Sequence, residues 1–227
     1  KELEEKSMTV IGECVQRIHL ARKNNKPVML TYGAHSIKNC LAPVLISLME
    51  QGWIQHLATN GAGIIHDWEF AWQGNTSEDV QKYVREGQFG NWQETGFYLN
   101  LAINCGARDG LGYGESVGRF IQEEGLMIPS VEELQEIVKH TIASDPKLAA
   151  ANADLLSVIK KFDLAAGWMS VPHKWKHFSV QAAAYRLGIP STGHPMFGHD
   201  IIYNHPMNHG PSIGRAAERD FLSFAEN

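Results

Sequence analysis

The sequence predicts an α/β fold of Rossmann-like type: a parallel sheet with helices on both faces, formed as one domain over residues 1–227. Three observations predict it. Residues 27–58 read as strand, helix, strand, and such a βαβ unit implies parallel pairing through a right-handed crossover. Three strand ends run directly into glycine turns, at Gly33, at Gly61 and Gly63, and at Gly193. The rest is mostly helical in pattern, with no internal repeat, low-complexity tract or linker.

Composition bounds the class. The chain is 44% hydrophobic and 20% charged over 227 residues, a globular mix large enough to bury a substantial core. A formal charge of −5 argues against nucleic acid as the main partner, because a phosphate backbone selects a basic face. Cys14, Cys40 and Cys105 are widely spaced and form no CxxC, the pattern of reduced thiols in a cytoplasmic protein. The longest apolar run, Leu41 to Met49, is interrupted by Pro43 and Ser47 and falls well short of the roughly 20 residues that span a bilayer. No membrane partner is expected, and no secretory leader is read at the N-terminus.

The elements follow in order. Val10, Ile11, Cys14, Val15 and Ile18 recur at helical spacing until Asn24-Asn25 stops the run. Pro27 to Thr31 reads as a short buried strand. Ile37, Leu41, Val44, Leu45 and Leu48 mark one helix face, with Gly52 at the left-handed C-terminal position. Trp53 to Ala58 is the second strand. Thr76 and Asp79 are candidate caps for a helix towards Arg85, and a further helix covers Trp92 to Cys105. A glycine-rich loop, Arg108 to Gly114, precedes a short helix near Ser116 to Gln122. Ser130 with Glu133 forms a capping box, and another helix takes in Leu148 to Ile159. Ser179 to Leu187 is helical, Gly188 breaks it, and Ile189 begins a strand that empties into Gly193-His194-Pro195.

In open parallel sheets ligands bind beyond the carboxyl ends of the strands, where helix N-termini converge. The strand-end segments here are residues 31–36, 59–67 and 193–200, rich in glycine, histidine and acid. Their glycines allow a bound phosphate close approach to the backbone, or serve tight helix–strand packing; both readings stand. The chain has no GxGxxG, no GxxxxGK[ST] and no GxSxG, which argues against a common dinucleotide fingerprint, a P-loop and a nucleophile elbow.

The run from Thr31 to Thr59, followed by Asn60-Gly61-Ala62-Gly63-Ile64-Ile65-His66-Asp67, resembles the first βαβ unit of deoxyhypusine synthases. Ala184 to His205 is similar to that family's later strand and its acidic loop, and the likeness covers about two-thirds of the chain. The resemblance implies NAD at the strand ends, held by Thr59, Asn60, Gly61, Ala62 and Gly63, with His35 and Asn39 at two further contact positions. It implies site roles for Asp67, the last acid of the family's E-E-D run, and Asp200, the acid that binds the substrate amine, with His66 and His199 added to the expected catalytic set by the histidine reading below. It also implies a homotetramer, and the family's imine-forming lysine falls in a C-terminal region that this sequence does not reach. Two family glutamates are replaced by Ile65 and His66, and another acid by Pro195. A polyamine needs several carboxylates to offset its charge, so the expected substrate is an amine-type or other small molecule rather than spermidine.

A second chemistry is open. His194, His199, His205 and His209 fall close together with Asp200, and imidazoles plus a carboxylate suit zinc or a similar divalent ion. The metal ligands on that reading are His194, His199 and His205, in a metal-dependent hydrolase. The alternative is that these histidines supply hydrogen bonds around a polar pocket, with His35, His66 and His199 meeting across the crevice as acid–base groups. Asp67 is read equally as a cap of the helix that follows it. Lys38 and Lys174 are candidate imine-forming lysines. Trp68, Phe70, Trp72, Trp168, Trp175 and Phe178 read as packing residues, and Arg215, Arg219 and Asp220 as an exposed helix face. A nucleotide-binding module without catalysis is the third reading.

Overall fold

The computed structural model describes residues 3–227, and these form a mixed α/β structure that is 62% helical. Helix α1 (Glu5–Lys23) ends at Asn24 and leads to strand β1 (Met29–Tyr32). The expected single helix after it is two: α2 (Ala34–Lys38) and α3 (Ala42–Glu50). Pro43 lies in the first turn of α3, where its missing N–H and fixed φ are tolerated. Cys40 takes a left-handed φ of 59° at the join. The break rotates the apolar face, so Ile37, Ala42, Leu45 and Met49 are buried while Leu41 and Val44 are exposed.

Strand β2 (His56–Asn60) starts later than its sequence pattern suggests. The α3 cap consumes the preceding residues: Gly52 N–H donates to Met49 and Trp53 N–H to Leu48, with Gly52 at φ 68°. Beyond β2 come α4 (Gly61–Gln73), α5 (Val80–Arg85), α6 (Gln93–Arg108) and α7 (Tyr113–Glu123). Asp79 caps α5, whereas Thr76 is turned to another use described below. Then follow β3 (Gly125–Ile128), α8 (Val131–Thr141), α9 (Pro146–Phe162) and β4 (Gly167–Ser170). Ser130 Oγ accepts from Glu133 N–H at the start of α8, half of the expected capping box, while the Glu133 carboxylate pairs with Arg108. The chain closes with α10 (Val180–Leu187), β5 (Ser191–His194) and α11 (Gly210–Glu226).

Three strands form a parallel sheet in the order β1-β2-β5, with Leu30 opposite Leu57 and Thr59 opposite Gly193. β2 is central and buried except for Asn60 at its end, as its apolar run requires. β3 and β4 make a separate antiparallel pair that alternation in the sequence does not reveal, because four-residue strands are too short to show a period. One apolar cluster lies between the sheet and helices α2, α3 and α10, centred on Leu57, Leu45 and Ala184. A larger one, around Trp68, Leu99, Phe120 and Ile159, joins α4, α6, α7 and α9 and is helical rather than sheet-centred. Among the described residues no helix is long and apolar enough to cross a membrane.

Asp220 corrects the sequence reading. It is not on an exposed face but 1% exposed, and its Oδ2 accepts from the backbone N–H groups of Tyr113 (2.8 Å), Gly114 (3.2 Å) and Gly193 (2.7 Å). One carboxylate thereby joins α11 to the N-terminus of α7 and to β5. A Cβ on Gly112 would sit 1.7 Å from Asp220 Oδ1, so glycine is needed there. Arg215, from the same helix, is half-buried and pairs with Asp154 at 2.7 Å, while Arg219 is exposed.

Burial pushes the Asp220 carboxyl up to about 7, against the pull of its three amide donors. Between about pH 4 and about pH 7 the folded chain holds this proton and the unfolded chain does not, so stability falls as pH rises through that window. Urea midpoints should show this fall in the wild type, and Asp220→Asn should lack that component. Asp220→Ala strands three buried amides and should lower stability by about 3 kcal/mol.

Candidate functional site

The carboxyl ends of β1 and β2 meet the N-termini of α2 and α4, and the local chemistry there is mostly structural. Thr59 Oγ1 donates to the Tyr32 carbonyl at 2.7 Å, closing the strand pair. Asn60 is the N-cap of α4, its Oδ1 accepting from Gly63 N–H at 2.9 Å. A Cβ on Gly63 would lie 2.1 Å from Thr59 Oγ1, and one on Gly61 would lie 2.6 Å from the Asp200 carboxylate. Asp200 therefore rests against the first residue of α4, where a helix terminus favours negative charge. Burial raises the Asp200 carboxyl; the Met196 N–H and His199 oppose that rise.

These contacts test the fit of a dinucleotide. A pyrophosphate needs free N–H groups at the helix start. Here the Asn60 side chain takes the Gly63 amide and the Asp200 carboxylate covers Gly61. In this conformation the α4 terminus does not fit a pyrophosphate.

Beside it opens a cleft of about 440 Å³. Its chemistry comes from Lys38, His66, Glu69, Glu78, His199 and Asp200, with Phe89 and Trp92 on one wall. His66 and Glu69 stand one turn apart on α4, so both reach the same side. Thr76, from the segment after α4, lies between them: His66 Nδ1 is 2.6 Å from Thr76 Oγ1, which donates to Glu69 Oε2. Thr95 Oγ1 on α6 donates to Glu69 Oε1 at 3.0 Å. Since the Thr76 hydroxyl proton goes to Glu69, its oxygen accepts from Nδ1–H. In the neutral ring this places the lone pair on Nε2. Glu69 is 7% exposed. Burial pushes its carboxyl up, but the neighbouring His66 ring and hydrogen bonds from Thr76 and Thr95 outweigh that and hold it below its ordinary value.

The loop carrying Asp200 is pinned from behind. Asn100 Nδ2 donates to the Ile202 carbonyl at 2.9 Å and Asn104 Nδ2 to Met207 at 3.3 Å. His205 packs against α6 so closely that a Cβ on Gly96 would lie 2.6 Å from it. On the opposite wall, Glu78 accepts from Gly90 N–H at 2.9 Å and Trp92 Nε1–H at 3.2 Å, which sets the indole at the rim.

The structure brings Lys38, Ala62, His66, His199 and Asp200 to this cleft. It does not bring the others. His35 and Asn39 are exposed on α2 and outside the cleft lining. Asp67 points away, accepting from Ser179 Oγ (2.6 Å), Val180 N–H (2.9 Å) and both Gln181 donors (3.1 and 3.0 Å) at the start of α10. It caps a helix, but α10, far along the chain, and not the following helix that the sequence suggested. The histidine loop disperses: His194 Nε2 meets Thr192 at 3.0 Å, His205 Nε2 meets Gln93 at 3.0 Å, and His209 Nδ1 meets Ser212 at 3.0 Å. Among the described residues no three His, Cys, Asp or Glu side chains converge as a metal ligand set. Lys174 lies over Trp175, outside the cleft lining. Glu69, Glu78 and Thr95 are not singled out by the sequence, and Thr76 is read there only as a helix cap; the one-turn spacing of His66 and Glu69 is the signal that could have found the pair.

Gly63→Ala should destabilise by about 2 kcal/mol by driving the Thr59 hydroxyl off Tyr32. In a Thr59→Ala background the same change should cost clearly less, a coupling that a double-mutant cycle in urea would measure. Comparison with known proteins found no matching family model, no matching curated protein and no matching solved structure.

Proposed function

We propose that the chain is an enzyme of Rossmann-like, deoxyhypusine-synthase-like architecture whose cleft binds a small cationic amine and removes a proton from it. The observation that carries this reading is the His66–Thr76–Glu69 relay beside Asp200. Three carboxylates line the cleft, Glu69, Glu78 and Asp200, with Lys38 the only lysine or arginine among the lining residues. That balance favours a cation, and Trp92 and Phe89 offer ring faces to an ammonium group or its alkyl chain. It also restores part of the carboxylate complement that the sequence lacks at Ile65 and His66.

The chemistry follows from the tautomer. Asp200 and Glu78 offset the ammonium charge, and His66 Nε2 accepts the proton. The imidazolium that forms is stabilised through Thr76 by Glu69, whose carboxyl stays ionised because its pKa is held down. Lys38 also lines the cleft and is its candidate nucleophile. The resemblance implies NAD as the oxidant of such an amine, but the closed α4 terminus supplies no support for it, and no step here depends on it. Exposed Cys14 and Cys40 thiols fit a reducing, cytoplasmic setting.

Calorimetric titration with short aliphatic mono- and diamines tests the reading. Saturable binding is expected, weakened about tenfold by Asp200→Asn through loss of a charge-assisted contact. His66→Gln should retain amine binding and lose turnover. An absence of binding by every amine at millimolar concentration would sink the proposal.

A further inference from the structure

Helix α1 has 19 residues, and none of them is buried. Its contact with the rest of the chain runs through its last turns, where His19 stacks edge-on against Trp53 at 5.3 Å and the Arg22 guanidinium lies 3.7 Å over the same ring. Yet it carries a continuous apolar stripe. Met8, Ile11, Val15 and Ile18 repeat at spacings of three and four, the a and d positions of a heptad, and Met8 (53%), Ile11 (45%) and Val15 (46%) are solvent-exposed. Most helical stability in a protein comes from packing an apolar face, so an open stripe calls for a partner.

We propose that α1 is a self-association surface: it pairs antiparallel with α1 of a second copy of this chain across a twofold axis near residue 13. Charge selects the occupant and its direction. Glu4 and Glu5 open the helix, and Arg22 and Lys23 close it. A parallel pair would set like ends together. The antiparallel pair sets Glu4 beside the partner's Arg22 and places the two helix dipoles side by side in opposite directions, which is favourable. The same register stacks Met8 on the partner's Ile18 and Ile11 on the partner's Val15, the a-against-d layers of an antiparallel coil.

Two small residues fit this arrangement and have no other role on α1. Gly12 sits mid-helix, where glycine costs about 1 kcal/mol relative to alanine, and a Cβ there would meet nothing within 4 Å. In the pair it faces the partner's Gly12, where the helices approach most closely. Cys14 is exposed and lies on the adjoining edge, so it stands near the partner's Cys14 across the axis. The contact buries on the order of 1,000 Å², the low end for specific association, so a reversible pair is expected at micromolar concentration.

Sedimentation equilibrium of the full chain should show concentration-dependent mass above the monomer. Ile11→Lys should raise the dissociation constant at least about tenfold while leaving the urea midpoint of the body unchanged. Ile11→Lys/Val15→Glu, which replaces the apolar layer with opposite charges, should restore association. In a Cys40→Ser background a short bis-maleimide should link Cys14 to the partner's Cys14. A monomer up to a few hundred micromolar would overturn the proposal. So would an assembly whose mass Ile11→Lys leaves unchanged, or one that gives no Cys14 cross-link.

Discussion

A buried carboxylate must be matched by hydrogen-bond donors or give up its charge, and three helix N-termini in this protein meet that constraint with acids from distant parts of the chain. Asp67 on α4 closes α10, Asp220 on α11 closes α7, and Asp200 rests against the start of α4. Each helix start presents free amides and a partial positive charge; Asp67 and Asp220 accept from those amides directly, while Asp200 lies against Gly61 and takes its own hydrogen bond from the Met196 N–H. The sheet is small, with strands of four or five residues, and offers few ladder bonds to hold its surroundings. The acid-to-terminus contacts supply the cross-links instead. Asp220 alone reaches two elements, α7 and β5.

The same contacts decide what kind of site the protein has. In nucleotide-binding α/β folds the helix starts at the sheet edge stay open to phosphate. Here the Asp200 carboxylate and the Asn60 cap occupy the corresponding position on α4. The functional groups that remain lie one turn further along that helix, at His66 and Glu69, and open sideways into the cleft. Two threonines, Thr76 and Thr95, keep Glu69 ionised despite its burial, and that converts an ordinary buried acid into an electrostatic support for the imidazole.

Local chemistry made much of the fold legible. Ser130, Asp79 and Ser179 cap helices, Gly52 and Gly188 end them with left-handed backbone, and β1, β2 and β5 pair in parallel as the glycine-terminated strands suggested. Where the reading failed, the cause is specific. The helix before Gly52 breaks at Cys40 because Pro43 starts a new helix. β3 and β4 are too short to show alternation. Asp220 looked like surface because a helical acid among arginines normally is; its burial depends on α7 arriving with two glycines, Gly112 and Gly114, that let the backbone approach.

By itself the sequence determined the alternation of helices and strands, the parallel βαβ unit, and the crowding of histidine and acid at the strand ends. These follow from periodicity, caps and turn residues, which act over a few positions. Only the tertiary structure decided which of those side chains share a cleft. His66, Glu69, Thr76, Thr95 and Asp200 come from four separate stretches of chain. Asp67 went to a helix cap more than a hundred residues away. Such pairings are set by how helices pack and where donors stand unsatisfied, and neither is written in local spacing.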